Sequence, residues 1–103
     1  MTITETYLRS LQSKIFKLLP MREAYDAGMD NHLDDYIENL CTSFEGAFAC
    51  YPELATIREI AEVQSNVFAL RDNLKLDFAK WRSTVLRSTR HIQTVLTRDF
   101  GEV

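Results

Sequence analysis

The chain has 103 residues, of which 46% are apolar and 26% charged, with a net charge of −3. That length suits one domain, residues 1–103, and is too short for two, while the composition excludes a disordered chain. Three glycines and two prolines are too few turn residues for a hairpin-rich fold, which points to helices.

The first predicted helix covers Thr4 to Leu19. Thr2 and Glu5 have the spacing of a capping box, and Tyr7, Leu8, Leu11, Ile15, Leu18 and Leu19 fall on one face. Pro20 interrupts this pattern, either kinking the helix or opening a new turn from Met21 to Asp26. Ala27, Gly28, Met29 and Asp30 make the first clear break.

In the second helix Asn31 is the expected N-cap, and Asp34 and Asp35 sit where the helix dipole favours negative charge. Leu33, Tyr36, Ile37, Leu40, Phe44, Ala47, Phe48 and Tyr51 recur at three and four residues, a continuous apolar stripe. Pro52 ends this stripe and is expected to open a third helix running to Leu70. That helix carries two stripes. One is Leu54, Ile57, Ala61 and Phe68; the other is Ile60, Val63, Val67 and Leu70. Since a surface helix needs only one, the second implies a central position or burial against another chain.

A fourth helix is expected to begin between Asn73 and Asp77 and to end at Asp99 or Phe100. Its core face holds Leu74, Phe78, Trp81, Val85, Ile92, Val95 and Leu96, and Gly101 is placed to cap it. Short connections between long helices favour antiparallel neighbours. The expected fold is all-α: an antiparallel up-and-down bundle of about four helices, the first kinked at Pro20.

No stretch is apolar for long enough to span a membrane, and the N-terminus lacks the basic-then-apolar pattern of a signal peptide. Cys41 and Cys50 share one predicted helix, roughly 13 Å apart along its axis, too far for a bridge between them. Free thiols give the expectation of a cytoplasmic protein.

Charge is unevenly spread. Residues 22–62 carry ten acidic and two basic side chains; residues 75–98 carry six basic and one acidic. On the fourth helix Lys80, Arg87, His91 and Arg98 form a line flanked by Arg90, with serine and threonine hydroxyls among them. This face could hold phosphates or nucleic acid. Nucleic acid is the less favoured partner, because the chain is acidic overall, with a pI near 5.3.

Asp34, Asp35 and Glu38, followed on the next helix by Glu59 and Glu62, supply carboxylates at the spacing that gathers oxygens around Mg²⁺. Their order resembles the all-α nucleoside triphosphate pyrophosphatases of the MazG-like group over about thirty residues. That resemblance implies a Mg²⁺-dependent nucleotide hydrolase with Asp35, Glu38, Glu59 and Glu62 as ligands. The chain departs from the family pattern in opening with Asp34 and Asp35 where the family usually has a Glu pair, and in having Glu62 where it usually has Asp.

Neither His32 nor His91 sits three or four residues from an acidic residue in a way that suggests zinc or a di-iron site, and no glycine-rich phosphate loop occurs. Trp81 reads as core. Phe16 and Leu86 lie off the main stripes of their helices. The reading ranked first is a non-enzymatic interaction module without a cofactor, an adaptor or accessory subunit acting through self-association or a protein partner. Ile60, Val63, Val67 and Leu70 are its expected interface. The two alternatives are phosphate or nucleic-acid binding through Lys80, Arg87, Arg90 and Arg98, and the Mg²⁺ enzyme.

Overall fold

The computed structural model describes residues 3–29, 31–74 and 76–101. Its elements are α1 (Ile3–Phe16), α2 (Leu18–Asp26), α3 (Leu33–Cys50), a 3-10 turn (Pro52–Thr56), α4 (Arg58–Asp72) and α5 (Phe78–Phe100). The first two are halves of one bent helix, so the fold is a small bundle of four helices, and the described residues contain no strand.

Pro20 explains the bend. It has no N–H to give the Phe16 carbonyl, and its ring crowds that turn. The helical ladder continues on either side, with Lys17 N donating to Ser13 O at 3.2 Å and Met21 N to Lys17 O at 3.2 Å. The backbone therefore turns at Lys17, three residues before the proline, without unwinding. Gly28 closes α2 at φ +92°, a conformation that only glycine adopts cheaply. The capping-box expectation rests on Thr2, which lies outside the described residues.

Helix α3 starts differently from expectation. Its N-cap is His32, in the left-handed region at φ 56°, and not Asn31. Asn31 donates its amide to Met21 O at 2.8 Å, tying the α2–α3 connection together. The predicted third helix is also divided. Pro52 begins a 3-10 turn, Ile57 is extended at φ −90° and ψ 115°, and α4 begins only at Arg58. The break puts Leu54 and the residues after Ile57 out of helical phase. The first expected stripe is thereby split. Leu54 is buried, Ala61 is exposed, and Phe68 is half-buried under the Arg71 guanidinium at 5.0 Å.

Side-chain bonds establish the up-and-down order. Thr4 donates to Glu53 at 3.2 Å and Tyr7 packs on Tyr51, while Tyr36 donates to Lys14 O at 2.8 Å, so α1 runs against α3. Arg71 near the end of α4 meets Glu38 near the start of α3 at 3.6 Å. Arg98 near the end of α5 meets Glu59 near the start of α4 at 2.9 Å. Gln12 of α1 donates to Thr89 O and Gln93 of α5.

The core takes Leu8, Leu11, Ile15, Leu18, Ile37, Phe44, Trp81, Val85, Ile92 and Val95 from these faces. Ile60, Val63, Val67 and Leu70, the expected interface, are only 0–1% exposed in the single chain and point into its own core. This corrects the interface reading. α4 packs against both α3 and α5, and its inner stripe fills the space between them. No described helix is long and apolar enough to cross a membrane.

Arg22 anchors the α2–α5 end. Only 5% exposed, it binds Asp26 at 2.9 and 3.0 Å, donates to Leu76 O at 2.6 Å, and lies over the Phe78 and Trp81 rings at 5.9 and 5.2 Å. A buried cation is tolerable only with such partners.

Candidate functional site

Helix α5 dominates the candidate surface. Asp77 caps its start by accepting from Ala79 N at 3.0 Å, and Gly101 at φ 66° ends it as expected. Its inner stripe of Trp81, Val85, Ser88, Ile92 and Val95 is buried. Ser88 and Thr89 can be buried because their hydroxyls donate to Thr84 O and Leu86 O within the helix. Turning that stripe inward leaves Lys80, Arg82, Arg87 and Arg90 exposed on the outside. None of these four makes an ion pair with a carboxylate among the described residues.

Two open grooves flank α5. The groove toward α1 has a volume of about 410 Å³ and is lined by Gln12, Phe16, Leu86, Thr89, Arg90 and Gln93. It joins Phe16 and Leu86, the two apolar residues that sequence placed off their stripes. Phe16 is 46% exposed and Leu86 half-buried. The groove toward α4 is about 350 Å³ and is lined by Arg58, Ala61, Glu62, Ser65, Asn66, Arg87 and His91. Here His91 Nε2 lies 3.1 Å from Glu62 Oε2, a pairing across helices that local sequence spacing could not show.

The expected phosphate set does not converge. Arg87 lines the α4 groove and Arg90 the α1 groove, while Lys80 lies roughly 27 Å of helix from Arg98. Arg98 is spent elsewhere. It holds Glu59 through two bonds, at 2.9 and 3.1 Å, and Asp99 through two more, at 2.9 and 3.2 Å. Those bonds hold the Glu59 carboxyl down at about 2 and also lower that of Asp99, while the guanidinium is driven further above its ordinary value.

The expected metal set does not converge either. Because α3 and α4 are antiparallel, Asp35 and Glu38 lie at the opposite end of this helix pair from Glu59 and Glu62. Each carboxylate meets its own cation or imidazole: Asp35 lies 3.7 Å from His32, Glu38 3.6 Å from Arg71, Glu59 2.9 Å from Arg98, and Glu62 3.1 Å from His91. Among the described residues no three His, Cys, Asp or Glu side chains gather as a metal site. The arrangement implied by the pyrophosphatase resemblance is therefore absent from this geometry.

Cys41 is buried on α3 and Cys50 exposed at its end. Burial pushes the Cys41 thiol above its ordinary value, with the nearby Arg71 opposing. A thiol held protonated is a poor nucleophile, so Cys41 acts here as a small core residue.

What the fold assembles is thus a cationic outer face on α5 with an apolar pair along one edge and a polar, mixed-charge groove along the other. Compared with protein-family models, with curated proteins and with solved structures, the chain matches none.

Proposed function

We infer that this chain is a non-enzymatic interaction module that docks an acidic protein segment along α5, anchored in the α1–α5 groove. The observation that carries this reading is the meeting of Phe16 and Leu86 in one groove beside Arg90, on a helix face where Lys80, Arg82, Arg87 and Arg90 have no carboxylate partner among the described residues. Exposed aromatic and aliphatic side chains next to arginine are the usual composition of an interface centre. Cations around them complement acidic residues and raise the rate of encounter.

A second copy of the chain fits less well. Self-association was suggested by the inner stripe of α4, and that stripe is used inside the bundle. The acidic partner accounts for both the apolar pair and the cations, whereas nucleic-acid backbone contacts would leave Phe16 and Leu86 without a role. Well-separated free thiols fit a reducing compartment such as the cytoplasm.

Selection from a library of displayed helical peptides tests this directly. Sequences rich in Asp and Glu around two spaced apolar residues should emerge. Their affinity should fall as salt rises and be lost in the double variant Phe16→Ser, Leu86→Ser. Enrichment without an acidic bias, or binding indifferent to that variant, would remove the proposal. A concentration-dependent dimer in light scattering, abolished by the same variant, would assign the groove to a second copy instead.

A further inference from the structure

The α4–α5 groove has an unbalanced set of charges, of which the docking reading uses only Arg87. Arg58 and Arg87 face a single carboxylate, Glu62, with Ser65 and Asn66 as neutral donors and His91 completing the wall. The arginines have most of their hydrogen-bonding capacity to spare. Arg58 Nε is 3.8 Å from Glu62 Oε1, beyond hydrogen-bond range, and its side chain is 85% exposed. Among the described residues Arg87 makes one long bond, to Thr84 Oγ1 at 3.5 Å. A guanidinium has five N–H donors. Arg98, on the same helix pair, shows the alternative, since four bonds to two carboxylates close it.

The placement of these groups follows from the helices. Arg58 is one turn from Glu62 toward the start of α4, and Arg87 is one turn from His91 toward the start of α5. As α4 and α5 are antiparallel, the two guanidiniums bracket the Glu62–His91 pair from opposite ends, about one helical turn away on each side. Both side chains are long enough to reach a group seated between them. Glu62 is itself 46% exposed and can rotate out toward water. With Glu62 turned away, the groove presents two fixed positive charges, an imidazole and two neutral donors. Two guanidinium forks match the oxygens and the double negative charge of a phosphate monoester, which balances both arginines where one carboxylate balances only one.

We propose that the α4–α5 groove is a site for a phosphoryl group, free or carried as a monoester, in which the Glu62 carboxylate occupies the position the phosphate would take. A phosphoryl group enters between Arg58 and Arg87 and displaces Glu62 from His91. Glu62 then acts as a built-in competitor that keeps the groove from filling with weaker anions.

Titration of the folded chain, followed by amide and side-chain NMR shifts, tests this with inorganic phosphate and O-phosphoserine as probes and sodium chloride as the ionic-strength control. Saturable shifts are expected at Ser65, Asn66, Arg87 and His91 for both phosphates and not for chloride. Tighter binding of O-phosphoserine would identify a carried phosphoryl group as the ligand, and tighter binding of inorganic phosphate the free ion. Glu62→Gln removes the competitor and should tighten binding by about tenfold, in line with one charge-assisted hydrogen bond. The double variant Arg58→Ala, Arg87→Ala should weaken it by at least about tenfold while melting like the parent chain, because both side chains are exposed. Absence of saturable shifts, equal shifts with chloride, or a Glu62→Gln variant that binds no tighter would each overturn the site. The Phe16→Ser, Leu86→Ser variant should bind phosphate normally, so failure here and failure of the docking reading are separable.

Discussion

The inner face of α4 and the α1–α5 groove show the same residue types used in opposite ways. Ile60, Val63, Val67 and Leu70 lie on one helix, in phase, and all are buried within the chain. Phe16 and Leu86 are seventy residues apart, out of phase with their own helices, and meet at the surface. In a domain this small, a regular stripe is needed for the core, because there is little other apolar area to fill it. Surface left for a partner is then built from off-pattern residues that only packing brings together.

The largest test of that contrast is Val63→Asp. If the stripe is core, the variant buries an unpaired carboxylate, costs more than about 4 kcal/mol, and fails to fold at 25 °C. Circular dichroism and dispersion of the amide spectrum would show this; a folded monomer would break the comparison at its root. Next comes Arg22→Met, which leaves the Leu76 carbonyl and Asp26 without their donor. A loss of about 1–2 kcal/mol in urea unfolding is expected from the charge-assisted hydrogen bonds given up, since Asp26 and Leu76 are exposed enough for water to replace the donor. A loss near zero would mean that the cation over Trp81 and Phe78 is dispensable.

A smaller effect separates the closed charge cluster from the open one. The Arg98 guanidinium holds Glu59 at about 2, below its ordinary 4.5. A depressed carboxyl stabilises the fold above its unfolded value, and the contribution is lost as pH falls from about 4.5 toward 2. Asp99 is shifted in the same direction by the same arginine. Arg98→Gln should therefore flatten the dependence of the urea midpoint on pH across this window, and an unchanged slope would show the bidentate pair to be idle in solution. The smallest change is expected from Phe16→Ser and Leu86→Ser taken singly. Each should alter stability by no more than about 0.5 kcal/mol, as partly exposed side chains do, while weakening acidic peptides. A loss several times larger for Phe16→Ser would move that residue from the groove into the core.

Much of the fold was legible in the residues. The stripe of α3, the inner face of α5, the Gly101 cap and the break at Gly28 all follow from local rules, which act over a turn or two of chain. The kink was legible too, though not its position, because a proline removes a bond from the turn before it. Less legible was the start of α4. Pro52 opens a 3-10 turn as readily as an α-helix, and Ile57 gives no breaking signal of its own. Asn31 is the better N-cap by preference, yet its amide is taken by Met21 O, a contact ten residues back in the chain. The candidate site was legible only as loose parts. Arg87, Glu62, Phe16 and Leu86 were each noticed, but Arg58, Ser65 and Asn66 gave no signal, and the Glu62–His91 pair spans 29 positions.

By itself the order of residues determined that this chain is helical, where most helices end, and which positions are greasy, since helix periodicity and capping are encoded within a few neighbours. Only packing decided that the second stripe of α4 faces inward, that the acidic residues of α3 and α4 sit at opposite ends, and that Arg58 and Arg87 frame one groove. Those outcomes depend on the direction and rotation of each rod against the next, and both are set by how the whole core fills.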